Sequence, residues 1–217
     1  MCLNNSAEVG IIKDTKNKAV KIFSKAVGEK DDKICSLGQL LQGWNSDQDQ
    51  IDENKKKDNP RDWLNQNQEL KQQIMKAHAV SMLIGNRDLK DDNIMIIKKS
   101  DGSLHCAPID FGLSCHKVST LRWAKNKCMH FDTNNMRHEN SLKFFNQDEY
   151  KSTLDEVVKS FRASETTILE SIYRRTKVLT GVGFQKHQYA TLIQNIQSNV
   201  REAEKICGGV AAACPNV

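Results

Sequence analysis

The sequence predicts an α+β fold, with a small β-containing part at the N-terminus and a mainly helical remainder. Three observations predict it. Two β-prone runs, Val9 to Ile12 and Ala19 to Phe23, flank the polar stretch KDTKNK and read as a hairpin over 8–23. A second pair of short apolar runs, NIMIIKK and LHCAPI, flanks SDGS, where Asp101-Gly102 supplies turn chemistry. Elsewhere the apolar residues recur at helical spacing. A chain of 217 residues suits one medium domain or two small lobes and can bury a real core.

The remaining elements follow in chain order. In ICSLGQLLQGW, 34–44, Ile34, Leu37, Leu40 and Leu41 are spaced for a helix. Residues 45–62 are polar, carry charges in blocks and contain Pro60, so they read as an exposed loop or insertion. From Trp63 to Ile84 one helix is expected, with Leu64, Ile74, Ala77, Val80, Met82 and Leu83 on its apolar face and Gly85-Asn86 as its stop. Helices are expected over roughly 147–163, 164–180 and 184–207, with Gly181 and Gly183 between the last two. The tail GGVAAACPNV reads as frayed, and no internal repeat is visible.

Composition narrows the class. Hydrophobic residues make up 38% and charged residues 27%, which is globular rather than disordered. Aromatics at 6% and three prolines lean away from a β-sandwich. The net charge of +5 is spread without a dense Lys/Arg block, so no nucleic-acid surface is expected. No apolar run is long enough for a transmembrane segment, and no signal peptide is read at the start. The seven cysteines are odd in number and irregular in spacing, which favours reduced thiols and a cytoplasmic setting. His105-Cys106, Cys115-His116 and Cys128 with His130 are zinc-ligand types but lack a CxxC knuckle, so ordinary thiols are the preferred reading. Trp44, Trp63 and Trp123 read as packing anchors, and His78 as a packed or solvated residue.

Chemistry concentrates in NRDLKDDN, 86–93, and IDFG, which ends at Gly112. Phosphoryl transfer from ATP asks the protein for a carboxylate that orients the attacking hydroxyl and for metal ligands that neutralise the phosphates. Asp88 suits the first task. Asn93 and Asp110 suit the second, because Mg²⁺ prefers oxygen ligands and the hairpin between them returns the chain. Asp91 and Asp92 read as solvated loop residues, with assistance to the metal as the second reading of Asp92.

RDLKDDN followed by DFG resembles the catalytic loop and metal motif of the protein kinase superfamily, whose pattern is HRDLxxxN and then DFG. The resemblance covers about residues 63–115. It implies a bilobal fold, with a reduced N-lobe in 1–33 and a C-lobe in 34–217 that carries catalytic loop 86–93 and metal motif 110–112. It implies ATP and Mg²⁺ as cofactors, Asp88 as catalytic base, and Asn93 and Asp110 as Mg²⁺ ligands. Lys90 matches the lysine that contacts the transferred phosphate in Ser/Thr protein kinases, so a protein substrate is expected. Lys21 in AVKIF has the flavour of the nucleotide-binding strand lysine, with Glu29 the nearest acidic partner; it reads equally as an ordinary strand lysine. The pattern departs from the family in four ways. Asn86 replaces the His, no APE follows, no GxGxxG precedes, and Gly10 stands alone. Reduced kinases without APE resemble bacterial effector kinases, which implies a host protein as substrate and an activating partner or anionic cofactor for the short N-lobe. Three alternatives stay open: a lipid or small-molecule kinase, a pseudokinase binding module, and AMP transfer at the same residues.

Overall fold

A computed structural model describes residues 9–14, 19–24, 28–45, 50–56, 60–86, 90–110, 145–180 and 186–208. Its elements are mixed α and β. The first two strands, β1 (Val9–Asp14) and β2 (Ala19–Ser24), form the expected antiparallel hairpin, with Val9 opposite Ser24 and Asp14 opposite Ala19. Then come β3 (Lys33–Ser36), α1 (Leu37–Leu41), the short strands β4 (Trp44–Asn45) and β5 (Gln50–Ile51), and a 3-10 turn at Glu53–Lys55. Helices α2 (Pro60–Gln66) and α3 (Gln68–Leu83) lead to a 3-10 turn, Asp91–Asn93, and to β6 (Ile94–Lys98) and β7 (Leu104–Pro108). The last two helices are α4 (Gln147–Thr180) and α5 (Lys186–Cys207). The chain divides into two compact units: Cys2–Ala77 with Lys90–Asp110, and His78–Leu89 with Phe111–Val217 and Met1. This division does not coincide with the expected boundary at residue 33.

The first unit holds a three-stranded antiparallel sheet of order β3-β6-β7. Its central strand reads IMIIK, and Ile94, Ile96 and Ile97 are buried; consecutive residues point to opposite faces, so both faces of this strand are covered. The β6–β7 turn closes as expected. Gly102 sits at φ 85, the Lys99 N–H donates to Ser103 O at 2.9 Å, and Asp101 Oδ1 accepts from the Ser103 N–H at 2.8 Å. β7 is an edge strand, and its Cys106 N–H donates to Gln73 Oε1 of α3 at 2.7 Å. Asp32, just before β3, accepts from Lys99 Nζ and from the Glu29 N–H, each at 2.7 Å; Lys99 chiefly, then that amide, holds its carboxyl below the usual range.

Two expectations for this unit change. Residues 34–44 are not one helix. Ile34 and Cys35 lie in β3, paired with Ile97 and Ile96, and the helix runs only over Leu37–Leu41. A capping box starts it: Ser36 Oγ accepts from the Gln39 N–H at 3.1 Å, and the Ser36 N–H donates to Gln39 Oε1 at 2.9 Å. The single helix expected from Trp63 is two. Pro60 opens α2, a first-turn position where its missing N–H costs nothing. Asn67 then interrupts, with its side-chain amide donating to Trp63 O at 2.8 Å. Trp63 is half-buried. Trp123 lies outside the described residues.

In the second unit, α3 ends at Gly85 as expected. Gly85 takes φ 64, its N–H donates to Met82 O at 3.1 Å, and the Asn86 N–H donates to Ser81 O at 2.8 Å. This is a Schellman cap, which only glycine adopts without steric cost. Residues 147–180 form one helix, not two, because Ala163-Ser164 contains no breaker. Half-buried Arg162 also fastens this region to α5, through Glu204 at 2.7 and 2.9 Å and through Glu165 of its own helix at 2.7 Å. The helices run antiparallel, since Tyr189 reaches Leu169 and Cys207 reaches Lys151. Tyr150, Leu154, Val157, Val158, Ile196, Val200 and Ala203 are buried. Asn199 is 1% exposed and its Nδ2 donates to Leu83 O at 3.2 Å, satisfying a carbonyl at the end of α3. Asn199→Leu should lower unfolding free energy in urea by about 2 kcal/mol with unchanged m, since it leaves that carbonyl buried without its donor.

Candidate functional site

Lys90, Asn93 and Asp110 stand at one end of the β6–β7 hairpin. Ile94 pairs with Pro108, and the ladder continues one step further: the Ile109 N–H donates to Asn93 O at 2.9 Å. Asp110 is the next residue. The sequence separation of Asn93 and Asp110 is therefore folded back into adjacency at one sheet end by ordinary antiparallel pairing.

Lys90 precedes the 3-10 turn in extended conformation, at φ −127 and ψ 165. Its carbonyl accepts from the Asn93 N–H at 2.8 Å, which tightens the four residues into one turn. Lys90 is half-buried, and Asn93 is 7% exposed. Asp91 is also 7% exposed, so its reading as a solvated residue is corrected: the turn carries its side chain inward. Asp92 is exposed, with Oδ1 3.4 Å from Ser36 Oγ.

Asp110 is exposed and has φ 55, the sole positive φ at a non-glycine among the described residues. Left-handed backbone costs an L-residue about 1 kcal/mol, less for Asp than for most. Such outliers gather where a side chain must be aimed at a ligand.

Asp88, Arg87 and Leu89 lie outside the described residues, as do Phe111 and Gly112. Lys21 stands in β2 opposite Ile12, and the β1–β2 hairpin is a two-stranded sheet separate from the sheet that carries Asn93. Glu29 is exposed. His78 is fully buried on α3, edge-on to Phe145 with ring centroids 6.3 Å apart, and burial lowers its pKa to about 3. It is a neutral core histidine.

Asn93 and Asp110 offer an amide oxygen and a carboxylate, the donor types that hard Mg²⁺ takes, with water, phosphate or a further carboxylate completing the set. Among the described residues, no group of three or more His, Cys, Asp or Glu could hold a metal ion. Of the zinc-type residues, Cys106 is buried in β7, and burial pushes its thiol up to about 12. Cys115, His116, Cys128 and His130 lie outside the described residues. Among the described residues no helix is long and apolar enough to cross a membrane.

No family model, curated protein or solved structure matches the chain. The sequence reading missed Ser36, Gly38 and the contact that Asp92 makes with them. A signal for the first was present, because Ser36-Leu37-Gly38-Gln39 is a capping-box pattern.

Proposed function

We propose that the chain is an ATP-dependent phosphotransferase of protein-kinase type, with a protein hydroxyl as acceptor. One observation carries the reading. Asn93 and Asp110, distant in sequence, are joined at one sheet end by the bond from the Ile109 N–H to Asn93 O, and Asp110 there holds a strained backbone.

In this reading Asp88 orients the acceptor hydroxyl and receives its proton as the oxygen bonds to the γ-phosphorus. The bond to the β–γ bridging oxygen breaks, and ADP leaves with the electron pair. Asn93 and Asp110 hold Mg²⁺, which when bound neutralises phosphate charge. Lys90 balances charge on the phosphoryl group in transfer, and its presence favours a protein acceptor over a small molecule. Lys21 contacts nucleotide only if β1–β2 serves as the reduced N-lobe; an activating partner or anionic cofactor would then complete that lobe.

The test is label transfer with Mg²⁺ into the chain itself and into a eukaryotic cell lysate, from γ-labelled and α-labelled ATP in parallel. Label from γ alone, lost in Asp88→Asn, is expected. Label from α would replace the reading with nucleotide transfer. Absence of both, together with no rise in Tm on adding Mg-ATP, would end it; absence of both with a rise in Tm would leave a nucleotide-binding module without transfer.

A further inference from the structure

Gly38 is the second residue of α1, a five-residue helix. Glycine is a poor choice there, and its φ is not among the positive ones, so backbone conformation does not require it. Space does. A Cβ at position 38 would lie 2.6 Å from Asp92 Oδ1, the end of an exposed side chain, so a methyl there would turn that carboxylate away. The same carboxylate oxygen receives the Ser36 hydroxyl at 3.4 Å, while the Ser36 oxygen accepts from the Gln39 N–H. Ser36 is 7% exposed and pairs with Met95 in the β3–β6 ladder, three residues after Asp92. The 90–93 turn is thus seated on the start of α1 at a place left open by a missing side chain.

We propose that Ser36, Gly38 and Asp92 form a positioning clamp that fixes the 90–93 turn, and with it Asn93, against the hairpin end bearing Asp110. The proposal rests on the phosphotransferase reading above. None of the three residues touches substrate; each acts through the turn. Asp92 is then neither an idle surface charge nor a metal ligand, and residues 36–38, far from the catalytic loop in sequence, become part of the support of the site.

The experiment is a double-mutant cycle of Gly38→Ala and Asp92→Ala, read by Tm and by the Mg²⁺ concentration needed for half-maximal stabilisation by ATP. The clamp predicts coupling between the two positions. Gly38→Ala leaves Tm nearly unchanged in the parent, because the new methyl turns the Asp92 carboxylate away from Ser36 and that loss offsets the helix preference for alanine. It raises Tm, by about 3 °C, in the Asp92→Ala background, where only the helix preference for alanine is left. Either single variant raises the Mg²⁺ requirement about tenfold, and the double variant is no worse than Asp92→Ala alone. Ser36→Thr, which keeps the hydroxyl, retains the parental requirement, whereas Ser36→Ala does not. If ATP and Mg²⁺ stabilise the parent and the Gly38→Ala chain equally, the clamp is overturned and the phosphotransferase reading survives. If they do not stabilise the parent at all, the reading falls, and the clamp as a support of a metal site falls with it.

Discussion

Asp110→Gly and Asp110→Ala should both lose phosphoryl transfer by about 1,000-fold or more, equivalent to about 4 kcal/mol of transition-state stabilisation, because each removes the carboxylate proposed to hold Mg²⁺. The two variants should nevertheless differ in stability. At φ 55 a Cβ crowds the backbone, and glycine escapes that cost while alanine bears it in full. Asp110→Gly should therefore be more stable than Asp110→Ala by about 1 kcal/mol, or about 3 °C in Tm. Comparing these two, neither of which has a carboxylate, isolates the backbone term from the lost side chain. Transfer above about a tenth of the parental rate in both variants would remove Asp110 from the metal site. Equal stability would mean that position 110 is not held left-handed in solution.

The second large effect is acid sensitivity from His78. Burial holds its pKa at about 3, against an ordinary value of 6.5. Between those values the unfolded chain binds a proton that the folded chain does not, so stability rises with pH across the window and is lost as pH falls below about 6.5. The slope is about 1.4 kcal/mol per pH unit, giving a loss of about 2 kcal/mol by pH 5 and about 5 kcal/mol by pH 3. Asp32 and Asp101 have depressed carboxyl pKa values, and their contributions are lost at lower pH, as the acid range of carboxylates is entered. The interval from 6.5 to 5 therefore belongs mainly to the histidine. Urea unfolding at pH 7.5, 6.5, 5.5 and 5 should show this decline in the parent and a nearly flat profile in His78→Leu, which keeps an apolar side chain beside Phe145. Equal slopes in the two proteins would show that His78 is protonated or solvated when folded.

What the sequence determined by itself was local. The β1–β2 and β6–β7 hairpins were legible because β-prone apolar runs flank short polar stretches, and Asp101-Gly102 fixes one of the turns. The end of α3 was legible because Gly85 is suited to a left-handed cap. The adjacency of Asn93 and Asp110 followed from the hairpin between them, so the candidate metal pair was readable before any coordinates. Tertiary structure decided the rest. Ile34 and Cys35 fit a helical spacing equally well, and only pairing with Ile97 and Ile96, distant in sequence, makes them a strand. Ser164 suits a helix start, yet the backbone runs on through it in α4, where Arg162 is fastened to Glu204 of a helix met much later in the chain. Asp91 is polar in a polar loop, and its burial depends on which way a 3-10 turn faces. Gly38 looks like a flaw in a short helix until Asp92 is seen over it. For Ile34, Cys35 and Gly38 the deciding contact comes from a residue remote in sequence, and local propensity, worth tenths of a kcal/mol, is overruled by burial and pairing worth several times more.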